Sequence, residues 1–364
     1  YQSKQFKVTQ ICDEAFQNSL IESVSFSNDS QVQIIGNFAF ENSTIHKLYI
    51  PASITKLSDK WACNAKELSE IEVDKNNRYF LNKNGFLLFS QHQKTESKKS
   101  YEILFATQNF EGEFLIPEKV ASIGSFVFYQ RSGIVSVKTE SPKLQKIRSY
   151  CFFGCKDLKD VSFKGQNDLL LGGFCFSKSK NLTKVEMSCK AVMIGKSCFE
   201  DCSSLINVSF IDSGQVKIGK HAFKGCTGLE NILIFKASLI KIGSECFADS
   251  VNLKAAAFVA GSVILGSNFI QNCKTLSSIA IESDDNLTIP ANTFGSNNLK
   301  CVKLVTKSLS FKAETIKMLE EYKIKPEDAT YKKCLKESIK CHHNNVIQYI
   351  QNNYLSNEEQ SDTC

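Results

Sequence analysis

The chain has 364 residues, of which 42% are hydrophobic and 23% charged, values that exclude a fully disordered or collagen-like chain. Its net charge of +6, from 44 Lys and Arg against 38 Asp and Glu, is spread along the whole length. That distribution lacks the clustered positive charge of a nucleic-acid footprint, so no nucleic-acid partner is expected. The longest near-apolar stretch, residues 255–266, falls short of the ~20 residues a membrane helix needs. Three features of composition need a cause: 27 Phe against one Trp, only five Pro, and 15 Cys.

One phrase recurs along the chain: an aliphatic residue, usually Gly, two variable residues, a small residue, then Phe. Its clearest copies are Ile123 to Phe128, Ile194 to Phe199, Ile218 to Phe223 and Ile242 to Phe247. Weaker copies start at Ile11, Ile35, Leu57, Ile147, Leu171, Leu265 and Ile289, and successive starts lie 24, 22, 66, 24, 24, 23, 24, 24, 23 and 24 residues apart. Each is followed by Leu-x-x-Val-x-Phe, as in Leu158 to Phe163 and Leu205 to Phe210, whose last three residues alternate in-out-in as a short strand. A unit of about 23 residues cannot bury its apolar side alone. Stacking such coils ~4.8 Å apart does bury it, which predicts a solenoid with parallel strands on its inner face.

Read down the stack, the spine column is Phe16, Phe40, Ala62, Phe128, Phe152, Phe176, Phe199, Phe223, Phe247, Ile270 and Phe294, defining coils 1 to 11. Where Phe is lost, the residue before it has grown to Trp61 or Phe269, which conserves volume as a close-packed core requires. Cys151, Cys175, Cys198 and Cys246 occupy the small column before the spine; Cys155, Cys202, Cys226 and Cys273 alternate with Ser and Ala three residues after it. These eight read as small buried thiols, because stacked Cβ atoms ~4.8 Å apart exceed the ~3.8 Å of a disulfide. The redox state of the other seven stays open.

The phrase Ile-Gly-x-x-Ala/Cys-Phe-x-x-Cys-x-x-Leu-x-x-Val-x-Phe resembles the BspA-like (Treponema pallidum-type) leucine-rich repeat family. Ile50-Pro51 with Ile54 and Leu57, and Ile116-Pro117 with Val120 and Ile123, add that family's turn. The resemblance covers about residues 11–305. It implies a non-catalytic recognition protein engaged in adhesion or host interaction, at the cell surface or secreted, with a host or extracellular-matrix protein as partner. The alternative is an intracellular scaffold, which unbridged thiols favour. The chain begins at Tyr1 with no basic or apolar leader, which fits both a removed signal peptide and a shorter stretch of a longer product. Five Asn-x-Ser/Thr sites, at Asn28, Asn42, Asn181, Asn207 and Asn286, are about what chance supplies and decide nothing about export.

The 66-residue interval between Leu57 and Ile123 holds one repeat and an insertion at about 75–117. Arg78 to Phe89 reads as two strands around an Asn84-Gly85 turn, and Tyr101 to Ala106 as a third. This β-hairpin module is either a docking flap or a decorated loop. Beyond residue 306 the periodicity becomes helical, with Pro326, Glu327 and Asp328 reading as a helix start. The expected architecture is therefore an α+β repeat: a β-rich solenoid over 1–306 and a helical cap over 307–364.

No chemistry has a residue set to rest on. Gly214-x4-Gly219-Lys220 approaches a phosphate loop, but His221 replaces the Ser or Thr that would hold magnesium. Cys334, Cys341, His342 and His343 match no zinc spacing and read as part of a helix. No enzyme activity, cofactor or metal is expected. The informative surface is the outward position of each strand. There Leu233, Ala255, Ala257 and Ala280 form an apolar strip over three successive coils, with Tyr49 on an earlier coil, and these are the candidate binding residues.

Overall fold

Spine rings can line up only if each coil places its Phe at the same height, and the backbone of the turn enforces this. The computed structural model describes residues 7–306 apart from 28, 92–99, 108–110, 140, 291, 295–298 and 300. In most coils the residues two before and two after the spine position have left-handed φ: Tyr150 at 59° and Gly154 at 65°, Phe174 at 56° and Lys178 at 61°, Ser197 at 54° and Asp201 at 60°. This alternation turns three amides per coil along the solenoid axis. In coil 6, Phe174 N donates to Lys196 O at 2.9 Å, Phe176 N to Cys198 O at 2.8 Å and Lys178 N to Glu200 O at 2.8 Å. The turn thus carries its own ladder of backbone bonds, and the left-handed strain is offset by satisfied donors.

Along this ladder the rings of Phe128, Phe152, Phe176, Phe199, Phe223 and Phe247 stack at 4.9–5.4 Å with interplanar angles of 10° or less. At the two lost positions the preceding large residue fills the slot edge-on. Trp61 meets Phe40 at 87°, and Phe269 meets Phe247 at 77°. The Gly of the phrase permits close approach of neighbouring coils: a Cβ on Gly172 would lie 2.4 Å from Ser149 N, and one on Gly266 2.3 Å from Ser244 N.

The column three residues after the spine selects for a donor as well as for size. Cys155, Cys202 and Cys226 each donate Sγ–H to the spine carbonyl of the preceding coil (Phe128, Phe176, Phe199) at 3.2 Å. Ser179 and Ser250 make the same bond with Oγ at 3.0 and 3.2 Å. That is the physical reason Cys and Ser interchange there. In coil 4 the position holds Arg131, whose guanidinium donates to Ala106 O at 2.6 Å.

Each coil contributes two strand segments rather than one, and in the later coils they merge. Asp160–Leu171, Lys184–Ile194, Asn231–Ile242, Ala255–Ile264 and Ser278–Thr288 are parallel neighbours or near neighbours in one large sheet. Register shifts between Gly165 and Asp168, Ile234 and Ala237, and Ala260 and Ser262 mark the bend between segments. In coils 1 to 3 the segments stay apart, as two three-stranded parallel sheets. No α-helix occurs among the described residues; the expected helical cap over 307–364 lies outside them.

The insertion folds as expected into antiparallel strands Phe80–Lys83, Phe86–Gln91 and Ser100–Ala106, with Asn84 and Gly85 at φ 53° and 75° in the tight turn. Its side chains pack on both sides. Phe80, Leu87 and Phe105 pack into the core of coils 1 to 3, while Phe86, Leu88, Ile103 and Ala106 pack into the core of the later coils. The insertion is a plate apolar on both faces, standing between two cores. Ile103 O accepts from Gly124 N at 2.8 Å, the bond that Leu171 O accepts from Gly195 N, so the plate presents a coil edge to coil 4. Gly112–Leu115 then pairs in parallel with Ile134–Thr139 and rejoins the array.

Candidate recognition surfaces

Parallel register sets the strip on the strand face. Leu233 pairs with Ala257, which pairs with Ala280, while Ala255 lies between Asn231 and Ser278. The four residues are thus brought together. Their exposure differs from expectation: Leu233 and Ala280 are half-buried, but Ala255 and Ala257 are only 3% and 2% accessible. An alanine Cβ flanked 4.8 Å away by neighbouring coils does not reach past them, so the strip offers less apolar area than its sequence promises. Flanking it, Asn207, Ser209, Lys184 and Glu186 give the face a polar border, with Lys184 3.1 Å from Glu186.

Tyr49 does not join this strip. It lies on Lys47–Ile50 among charges: its hydroxyl donates to Asp74 at 2.6 Å, and Lys47 reaches both Glu70 and Glu72 at 2.8 Å. The bond from Tyr49 holds the Asp74 carboxyl below its usual range and pushes the Tyr49 hydroxyl up. The plate adds a wall to this place, leaving a groove of about 690 Å³ bordered by Tyr49, Glu72, Asp74, Asn77, Phe80 and Asn82.

A second surface escaped sequence reading: the turn side. The residue two before the spine is aromatic in several coils, and Phe126, Tyr150 and Phe174 stack at 5.0 Å and 10° as a half-buried ribbon beside the spine. Tyr129 and Phe153 form a parallel pair at 5.2 Å and 7°. The Lys60 ammonium sits 5.0 Å from the Phe38 ring and 5.5 Å from Phe126, bridging coils 2 and 4. Reading the column Phe38, Lys60, Phe126, Tyr150, Phe174 down the stack would have shown it, and it supplies part of the Phe surplus.

Burial pushes the Cys155 and Cys273 thiols up to about 12 and Cys189 to about 11, away from the thiolate that reactivity needs. No group of three His, Cys, Asp or Glu could hold a metal ion among the described residues; Cys334, Cys341, His342 and His343 lie outside them. At the near-match to a phosphate loop, Gly219 sits where coil backbones touch and Lys220 lies 3.3 Å from Glu245.

The pattern of the BspA type Leucine rich repeat region matches in six copies, over residues 3–95, 98–216 and 193–323. The chain belongs to the BspA-type leucine-rich repeat family. Among solved structures, a leucine-rich repeat protein from Eubacterium ventriosum is 18% identical, covering 83% of this chain and 69% of that one, with a TM-score of 0.49. One from Bacteroides ovatus is 22% identical over 82% and 76%, also with a TM-score of 0.49. A leucine rich cell surface protein from Faecalibacterium prausnitzii is 15% identical over 83% and 67%, with a TM-score of 0.38. No curated protein sequence matches. No described helix of this family member is long and apolar enough to cross a membrane.

Proposed function

We propose that this BspA-type repeat protein recognises a protein partner through its strand face, without chemistry of its own, and serves adhesion at a cell surface. The observation that supports this reading is the register: a fixed parallel ladder holds Leu233, Ala257 and Ala280 in one row with Ala255 beside it, bordered by polar and charged residues. An apolar centre with a polar rim is the arrangement of a protein-binding patch. Membership of the family supports the adhesive role, and a host or extracellular-matrix protein is the partner class it suggests.

Leu233→Glu tests the reading. On an array of immobilised extracellular-matrix proteins, the wild-type chain is expected to bind at least one, and the variant to lose that binding by tenfold or more with an unchanged melting temperature. Retained binding removes the strand-face strip as the site. The eleven cysteines whose side chains are described are unbonded, which favours the intracellular scaffold as a second reading. Intact-mass and thiol mapping of the native protein separates the two: N-linked glycan at Asn42 or Asn286 supports export, and bare Asn with every thiol free supports the cytosol.

A further inference from the structure

On the turn side, coils 3, 5 and 6 bring four lysines to one place. Lys66, Lys156, Lys178 and Lys180 border a cleft of about 630 Å³, with Phe153, Gln130 and Asn181 completing its lining. All four lysines are exposed. Elsewhere in the array lysines reach carboxylates on their own or neighbouring coils: Lys47 to Glu70, Lys138 to Glu113, Lys184 to Glu186 and Lys254 to Glu230. The four cleft lysines have no carboxylate within 4 Å among the described residues, and the lining contains no acid. Two acids adjoin cleft lysines in sequence, Glu67 after Lys66 and Asp157 after Lys156; neither reaches a cleft lysine within 4 Å, and Asp157 accepts from Gly133 N at 2.8 Å. Four like charges around one cleft repel one another until an anion fills it.

We infer that this cleft binds a sulfated polysaccharide chain. Its size lies in the ~300–1,000 Å³ range of small-ligand sites and suits a short run of sugar rings. Four ammonium groups in that volume match an occupant carrying several negative charges on a few rings. Lysine presents compact point charges rather than the planar fork that arginine offers a single carboxylate, and so suits sulfate groups at variable orientation. Hydroxyls of the sugar find partners in the Gln130 amide and in Asn181, whose Nδ2 already donates to Lys156 O at 2.8 Å and leaves its oxygen as acceptor.

Two features disfavour the competing polyanions. Single-stranded nucleic acid is held by stacking bases on open aromatic faces. Here one face of Phe153 is covered by Tyr129 and the other lies 5.7 Å from the Lys178 ammonium. An acidic peptide would pair its backbone with free amides, but those of Gln130, Gly154 and Lys178 donate axially to Phe153 O, Ser177 O and Glu200 O. The cleft is separate from the strand face, so its fate is independent of the protein-recognition reading.

The test is calorimetric titration of the full chain with a heparin hexasaccharide at two salt concentrations, beside hyaluronan of similar length and polyuridylate. The expected result is salt-sensitive heparin binding that exceeds hyaluronan and polyuridylate binding by tenfold or more. Lys156→Gln with Lys180→Gln should weaken it at least tenfold at an unchanged melting temperature, while Lys184→Gln on the strand face leaves it intact. Polyuridylate binding equal to or stronger than heparin, or heparin affinity untouched by the double variant, overturns the inference.

Discussion

Coils 1 to 3 and coils 5 to 10 are built from the same phrase yet held by different means. In the first group the strand segments are two to four residues long and separate, and an outer row of amides ties coil to coil: Asn42 Nδ2 donates to Asn18 Oδ1 at 3.1 Å and Asn64 Nδ2 to Asn42 Oδ1 at 2.5 Å. In the second group strands of ten to twelve residues run through both segments of most coils, and buried Cys and Ser donors close the spine carbonyls. Phe16, in the first coil, is half-buried, whereas Phe40 of the first group and Phe152 to Phe247 of the second have no accessible surface. A single backbone turn therefore tolerates either a wet or a dry bracing, provided its axial amides are paired.

Alkali should separate the two groups most. The buried thiols of coils 5 to 10 have raised pKa values, chiefly from loss of water. Unfolding lets them ionise near the ordinary thiol value of 9.0. Their contribution to stability is thus complete below pH ~9 and lost as pH rises toward about 12, the raised value of Cys155 and Cys273. Denaturant titrations from pH 8 to 11 should show this fall, and Cys202→Ser with Cys226→Ser should shift it to higher pH. An unshifted curve would detach the thiols from alkaline unfolding.

Next in size, Phe223→Ala should cost about 3–5 kcal/mol through a buried cavity, and Phe16→Ala less than half of that. Equal losses in urea unfolding would erase the distinction between wet and dry bracing. Cys202→Ala should cost about 0.5–1.5 kcal/mol by removing one of two hydrogen bonds to the Phe176 carbonyl, which keeps Ser179 N at 3.2 Å, with Cys202→Ser recovering most of it. Smallest of all, Lys47→Gln should leave the melting temperature within error, because its contacts with Glu70 and Glu72 are solvent-exposed.

Side-chain periodicity made the spine, the substitution of Trp61 and Phe269, the interrupted interval and the strand register legible before any coordinates. It is blind to the sign of φ. The left-handed positions hold residues as unlike as Asn18, Phe38, Lys178 and Ser197, because axial hydrogen bonding, not residue type, sets them. Burial of Ala255 and Ala257 depends on how far neighbouring side chains overhang, which a column of letters does not contain. The lysine cleft was hidden for another reason: Lys66 and Lys156 are 90 residues apart, and a net charge of +6 averages over them. The thiol column was visible, but its shared demand for a donor emerged only with the carbonyl it faces.

A plate with two apolar faces also changes how the array can lengthen. Because Phe105 and Leu87 serve one core while Ile103 and Leu88 serve the other, a coil gained or lost on either side leaves the opposite stack in register. The molecule is in that sense two columns sharing a bulkhead, each extensible at its far end and joined beside the plate where Lys60 reaches Phe38 and Phe126.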